Sequence, residues 1–371
     1  MASTTSGIAE LLVNGTYYGG WKSVRASRSI EQMAGGFELD ITERWPGQPA
    51  ATPLRMGQKC RLLMSDQPVV TGHIDDVVPD YDAERHNIHV TGRDKTADLV
   101  DCSAIYKSGQ WRNVKIEQLA RNLLQGYDIK VDVEVDTGAA LPSFALEEGE
   151  TIHEALERAA RQKAVLLTSN ADGDLVITRA GQRRIRQALV EGKNCKAGRG
   201  NFSWKDRFSQ YIVKGQGKLG ADGDQAHAAP KAVVTDENIT RHRPLIVLAE
   251  THGKNRSLRD RAEWERNVRR GRSARASLTV QGWCNEDGEL WQPNTLVHVT
   301  SPSLWLVDAE VLIVGCTYTL DEQGGTLTEL AIARPEAFLL LEGVSQSKLF
   351  GKLRSKEQRD KREKVEDWSM L

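Results

Sequence analysis

For most of its first 95 positions the chain alternates apolar and polar residues. In GGFELDITERW, Phe37, Leu39 and Ile41 fall on one side and Glu38, Asp40 and Thr42 on the other, the period-two signature of a half-buried strand. Asn14-Gly15 lies between short apolar and aromatic runs and reads as a hairpin turn. CRLLMSDQPVVTGHIDDVVPDYDAERHNIHVTGRD holds three further strands, with turns expected at Asp66-Gln67 and Asp82-Ala83-Glu84. Five or six short antiparallel strands in under 90 residues predict a small barrel or sandwich.

The period then changes. NVKIEQLARNLLQGYDI places Ile116, Leu119, Ala120, Leu123 and Leu124 on one helical face, with Asn113 a candidate N-cap and Gly126 a stop. TIHEALERAARQKA repeats that face with Ile152, Ala155, Leu156, Ala159 and Ala160, and Thr151 with Glu154 forms a capping box. Leu119, Leu123, Leu156 and Ala160 are therefore expected in a core. VLLTSNADGDLVITRA reads as a hairpin turning at Asp172-Gly173. From about residue 200 strands return, one of them near Tyr211 to Lys214. Residues 216–245, rich in Gly, Ala and Asp, read as loop, and a helix is expected from about Ser257 to Arg275. Alternating strands follow up to Phe338. The charged stretch 341–371 has too few apolar positions for a core of its own and is expected to order only against a neighbour.

Residues 54–94 and 290–335 follow one plan: turn, strand, polar break, long strand, hairpin, strand. This hints at an internal repeat. The expected segments are 1–95 (β), 96–185 (small α+β domain), 186–215 with 274–340 (second β region), 216–273 (insertion with a basic helix) and 341–371 (charged tail).

Composition narrows the chemistry. At 371 residues the chain is too long for one core. Hydrophobic residues at 39% and charged residues at 27% are ordinary for a soluble protein. No apolar run approaches the roughly 18 residues of a membrane span, and MASTTSGIAELLVNG lacks the pattern of a secretory signal. Five isolated cysteines, Cys60, Cys102, Cys195, Cys284 and Cys316, offer neither CxxC nor Cys/His spacing, so no zinc site or disulfide framework is expected and the chain reads as made in a reducing cytoplasm. A net charge of −1 argues against a dedicated nucleic-acid binder. Residues 254–275, however, carry nine Lys and Arg against three acids. Leu258, Ala262 and Val268 are the apolar positions of that helix, which reads as solvated or partner-facing.

One stretch looks reactive. In VTGRDKTADLVDC, Arg93, Asp94, Lys95, Thr96, Asp98 and Asp101 crowd into nine residues. An enzyme would use Asp94 or Asp98 as acid or base, with Lys95 or Arg93 assisting. No histidine or cysteine nucleophile accompanies them. The structural alternative is a corner: Gly92 ends a strand, Asp94 or Thr96 caps a short helix, and Leu99 and Val100 pack it down. His86 and His89 are three apart on a strand, hence on opposite faces. His242 and His252 have no acidic partner at ligand spacing. ADGDL (171–175) and EDGEL (286–290) lack the ligand run of a calcium loop and read as hairpin turns. No catalytic, cofactor-binding or metal-binding residue is assigned, and no cofactor.

These motifs carry a resemblance. SRSIEQMAGGFELDITERWPG (27–47), VTGRDKTADLVDC with SGQWRN after it (90–113), ETIHEALERAARQKAVLLTSNADGDLVITRA (150–180), DRFSQYIVKGQG (206–217) and WQPNTLVHV (291–299) resemble the baseplate hub proteins of contractile-tailed phages, most closely those of Mu-like phages. The resemblance reaches to about residue 340. It implies a mainly β, α+β fold: two similar antiparallel β-barrels, a small two-helix domain between them and an insertion in the second barrel. It also implies a non-enzymatic homotrimer that joins a six-fold tail tube to a three-fold central spike. Tube-initiator, other baseplate and tape measure proteins would be its neighbours, and DNA would pass through its channel only in transit. Such a protein resides in the virion tail baseplate, is made in the host cytoplasm and has no stable membrane association. Two rival readings are a tail-associated cell-wall hydrolase and the spike or effector carrier of a contractile secretion system.

Overall fold

A computed structural model describes residues 8–42, 54–82, 86–215, 231–248, 255–321 and 324–338. The charged stretch 341–371 and the turn residues Ala83 and Glu84 lie outside them. The chain divides into two compact units: residues 1–198, 277–297 and 312–332, and residues 199–276, 298–311 and 333–371.

Seven strands open the first unit: β1 (Ala9–Val13), β2 (Thr16–Tyr18), β3 (Ser23–Ser29), β4 (Gly36–Thr42), β5 (Lys59–Met64), β6 (Gln67–Tyr81) and β7 (His86–Asp94). Asn14 and Gly15 turn between β1 and β2 with φ of 49° and 83°, matching the twist of the flanking strands. The β5–β6 turn is Ser65-Asp66, one residue earlier than the sequence pattern predicts. Both residues hold positive φ, and Met64 pairs with Gln67. In β4, Phe37 and Leu39 are buried as expected.

The next elements are α1 (Ala97–Asp101), β8 (Gln110–Val114), α2 (Ile116–Leu123), β9 (Val131–Val133), β10 (Leu141–Ala145), α3 (Ile152–Lys163), β11 (Leu166–Ser169) and β12 (Leu175–Thr178). Leu119, Leu123, Leu156 and Ala160 share one core with Trp111 and Phe144. The Thr151/Glu154 capping box is formed in both directions. Asn113 does not cap α2: it lies in β8 with φ of 51°, and Lys115 holds the N-cap position without a side-chain bond. β12 pairs antiparallel with β11 and parallel with β9.

β13 (Arg183–Arg184), β14 (Leu189–Val190) and β15 (Cys195–Phe202) lead to the insertion, which contains β16 (Gln210–Lys214), β17 (Lys231–Thr235), β18 (Pro244–Leu248) and α4 (Asn255–Arg272). Here the structure departs from expectation. β17 and the start of β18 fall within the stretch read as loop, because KAVVT and PLIVL become strands only on either side of β16. β16 belongs to this three-stranded sheet. Tyr211, Val213 and Val234 pack with Leu258 and Ala262, so α4 has a buried face as well as a solvated one. On the solvated side Arg259 and Glu263 pair one turn apart, while the buried Glu265 takes both Arg261 and Arg269. Gly271 is required by close approach, since a Cβ there would meet the Ala337 amide nitrogen at 2.3 Å.

β19 (Ala274–Gln281), β20 (Thr295–Ser301), β21 (Leu306–Asp321) and β22 (Gly325–Ala333) complete the chain's strands. Fourteen strands form one sheet in the order β15-β19-β22-β21-β3-β4-β7-β6-β5-β1-β2, with β20 pairing β21, β13 and β14. Its two halves are built alike. Each takes five strands in the spatial order first, second, fifth, fourth, third: β3-β4-β7-β6-β5, and β15-β19-β22-β21-β20. The insertion lies between the first and second strands of the later half. β21 and β3 join the halves, antiparallel, from Gly315↔Ser29 to Leu320↔Val24. Among the described residues no strand pairing closes either half into a barrel.

Candidate functional site

The stretch 90–102 runs from the end of β7 into α1, and its Arg93, Asp94, Lys95 and Asp101 side chains are committed to structure. Asp94 is buried at 3% exposure. Its Oδ2 accepts from the Gly35 amide and the Ser169 hydroxyl, each at 2.7 Å. Its Oδ1 accepts from the Thr96 amide at 2.9 Å and the Thr96 hydroxyl at 2.5 Å. Burial pushes the Asp94 carboxyl above its ordinary value, and these hydrogen bonds oppose the shift without cancelling it. Asp94, rather than Thr96, therefore takes up the amide at the start of α1, and it ties β7 to the approach to β4 and the end of β11. Leu99 is buried beneath α1, but Val100 faces outward at 40% exposure, contrary to expectation.

Arg93 forks between two aspartates: Nε donates to Asp75 at 2.7 Å and Nη2 to Asp101 at 2.8 Å. Asp101, then Asp75, stabilise the charged guanidinium and raise its pKa further. The same contact lowers that of Asp101. Lys95 donates to Asp174 at 2.7 Å. Of the groups that would have to move protons, Asp94 is thus held by neutral donors, and Arg93 and Lys95 by counter-charges.

Sequence reasoning missed the partner of this corner, the 170–174 turn. Asp172 pairs with Arg61 at 3.0 Å, Thr71 donates to the Ala171 carbonyl at 2.9 Å, and Asp174 takes Lys95. The acids of the calcium-like ADGDL motif neutralise cations of the chain itself. Gly173 permits this contact, because a Cβ there would meet the Thr71 carbonyl oxygen at 2.3 Å. The signal was the density of Asp and Asn at a hairpin tip, which cannot name a partner some 80 to 110 residues away. EDGEL is likewise a turn: the Asn285 side chain accepts from the amides of Asp287 and Glu289.

His89 meets Asp40 at 2.7 Å, and Ser23 donates to the other Asp40 oxygen at 2.5 Å. Burial pushes the Asp40 carboxyl up, but the Ser23 and His89 bonds with the His89 and Lys22 charges outweigh it and leave it lowered. The His86 side chain and His252 lie outside the described residues; His242 is exposed. Among the described residues no group of three or more His, Cys, Asp or Glu is placed to hold a metal ion. All five cysteines are free. Burial pushes the Cys60 and Cys316 thiols up to about 12 and Cys195 up to about 11, far from nucleophilic at neutral pH. No helix of the described residues is long and apolar enough to cross a membrane.

Comparison with known proteins agrees with a structural role. Residues 8–94 match the family described as Mu phage baseplate assembly protein GpP-like, N-terminal. Residues 96–179 match the baseplate hub protein gp44-like second domain, and residues 254–341 the fourth domain of Mu phage baseplate assembly protein GpP. The baseplate hub protein gp44 of Escherichia phage Mu is 38% identical over 343 residues, 90% of each chain. The 43 kDa tail protein of prophage MuSo2 from Shewanella oneidensis superposes with a TM-score of 0.80 at 39% identity, covering 90% of this chain and 100% of that one. An Escherichia coli component of the type VI secretion system shares the fold alone, with a TM-score of 0.53 at 9% identity over 87% of this chain and 76% of that one. Mainly β, with the 90–102 corner tied down as structure, the chain belongs to the baseplate hub proteins of Mu-like phages, structural tail components and not enzymes.

Proposed function

We propose that three copies of this chain close into a ring at the centre of the baseplate, adapting a six-fold tail tube to a three-fold central spike. The observation that carries the reading is the shared strand order of the two halves. One chain offers two like modules, each a barrel-like half, so three chains present six to the tube while keeping three-fold symmetry toward the spike. Other baseplate proteins and the tape measure protein are the remaining neighbours, and the ring leaves a channel for DNA in transit. A net charge of −1 over the chain suits a surface that DNA must pass without sticking. Asp94, Asp98 and His86 carry no chemistry in this reading.

Imaging the assembled tail at side-chain resolution tests it. Three copies in a ring of six superposable modules are expected. Six copies, or halves that do not superpose, would overturn it. Purified protein incubated with peptidoglycan is expected to release nothing.

A further inference from the structure

The sheet of the insertion has one face covered and one bare. On the covered face Tyr211, Val213 and Val234 pack against Leu258 and Ala262 of α4. The bare face takes the alternate positions. Ile212 pairs with Val233 on one side and Ile246 on the other, so the three form a row across β17, β16 and β18. Val233 and Ile246 are 46% and 55% exposed, and Leu248, the next residue of β18 on that face, is 71% exposed. A sheet that covers a helix normally turns polar residues to water on its far side, and an aliphatic row there marks an interaction surface. Beside the row, Lys214 stands directly opposite Lys231. Like charges facing each other across two strands repel. Among the described residues neither lysine has a hydrogen-bond or ion-pair partner.

Resting on a place in the tail baseplate but not on a ring of three, we propose that this bare face docks a segment of a different tail protein. Its apolar residues cover Ile212, Val233 and Ile246, and its carboxylates reach Lys214 and Lys231. The charges select this occupant. A second copy offering the same face would set lysine against lysine. The chain's own stretch 348–364, with eight Lys and Arg against three acids, would be repelled as well. An acidic partner instead relieves the repulsion between the two lysines and fixes the register of docking, while burial of the aliphatic row supplies the affinity. The row lies between polar pairs, Gln210 with Thr235 at one end and Lys214 with Lys231 at the other, which is the layout of an apolar interface centre inside a polar rim.

Photo-crosslinking in assembled tails tests this. Full-length chain carrying benzoylphenylalanine in place of Val233, or of Ile246, is assembled into tails and irradiated, and the adducts are sequenced by mass spectrometry. Both positions are expected to join one segment of another protein, with Asp or Glu close to the linked apolar residue. Lys214→Glu with Lys231→Glu is expected to cut the adduct yield per assembled copy at least about fivefold, whereas Lys214→Arg with Lys231→Arg keeps it. A charge-reversed chain that matches wild type in circular dichroism but no longer enters tails also supports the contact. The docking site is overturned by no adduct, by adducts only with lipid or with this chain (residues 216–230, residues 339–371 or a second copy), or by a yield that ignores the charge reversal. Each of those leaves the place in the baseplate standing. A wild-type chain absent from assembled tails overturns that place itself.

Discussion

Asp94 at the β7–α1 corner and Asp236 in the insertion are both buried, and the two are satisfied in opposite ways. Asp236, in the insertion, meets a full charge: Arg207 Nη2 donates to its two oxygens at 3.0 and 2.8 Å, Nε adds a bond at 3.1 Å, and both side chains are almost wholly buried. Asp94 meets no cation, only two amides and two hydroxyls. An arginine-held carboxylate is locked in one charge state, and removing it strands a buried guanidinium. A carboxylate held by neutral donors can take a proton, and its two hydroxyl partners can turn from donor to acceptor. Burial alone therefore does not measure what a charged residue does for the fold.

The largest effect should come from Asp236→Ala, which leaves Arg207 charged in a dry site. A loss of about 3–5 kcal/mol is expected in urea unfolding. A loss below about 1 kcal/mol would mean that Arg207 finds water, and the contrast between the two aspartates would collapse. Leu156→Ala, an uncharged deletion at a fully buried site of α3, is expected to cost about 2–5 kcal/mol by the same measurement and provides the apolar yardstick. Asp94→Asn keeps the shape and some of the bonds, and about 1–3 kcal/mol is expected.

Acidity sharpens the same comparison. Asp94 has a folded pKa raised above its ordinary 3.8, so between those two values the native state holds a proton that the unfolded state has lost. That contribution is full below the unfolded value and is lost as pH rises through the folded one. The stability difference between wild type and Asp94→Asn should therefore shrink as pH climbs from about 4. Asp40, with its pKa lowered, should show the opposite trend: its contribution is present above 3.8 and lost on acidification. Parallel pH profiles for Asp94→Asn and Asp40→Asn would refute the assignment. The smallest effect belongs to the residue that most resembles a catalytic one. Arg93 is half-exposed, and Arg93→Met is expected to cost under about 1 kcal/mol and to vary with salt. A larger, salt-independent loss would place Arg93 in the buried class with Arg207.

Local information carried part of this far. The helices of 116–163 were legible because apolar spacing and the Thr151/Glu154 box act within a few residues. The β4 alternation was legible because a pleat has period two. Residues 231–248 were not, because a five-residue apolar run becomes a strand only when a partner stands beside it. The turn at 170–174 showed its shape but not its function, since its counter-charges, Arg61 and Lys95, are distant in the chain.

By itself, then, the sequence determined the strand and helix periods, the absence of a nucleophile or metal spacing, the family resemblance and the outline of a repeat. These depend on neighbours along the chain or on motifs that can be read in order. Only the tertiary structure decided that both halves follow one strand order in a single sheet, that β16 serves the insertion, and that Asp94 rests on neutral donors while Asp236 rests on an arginine. Each of those is a pairing between residues far apart in sequence, selected by burial and by the requirement that every buried polar group find a partner.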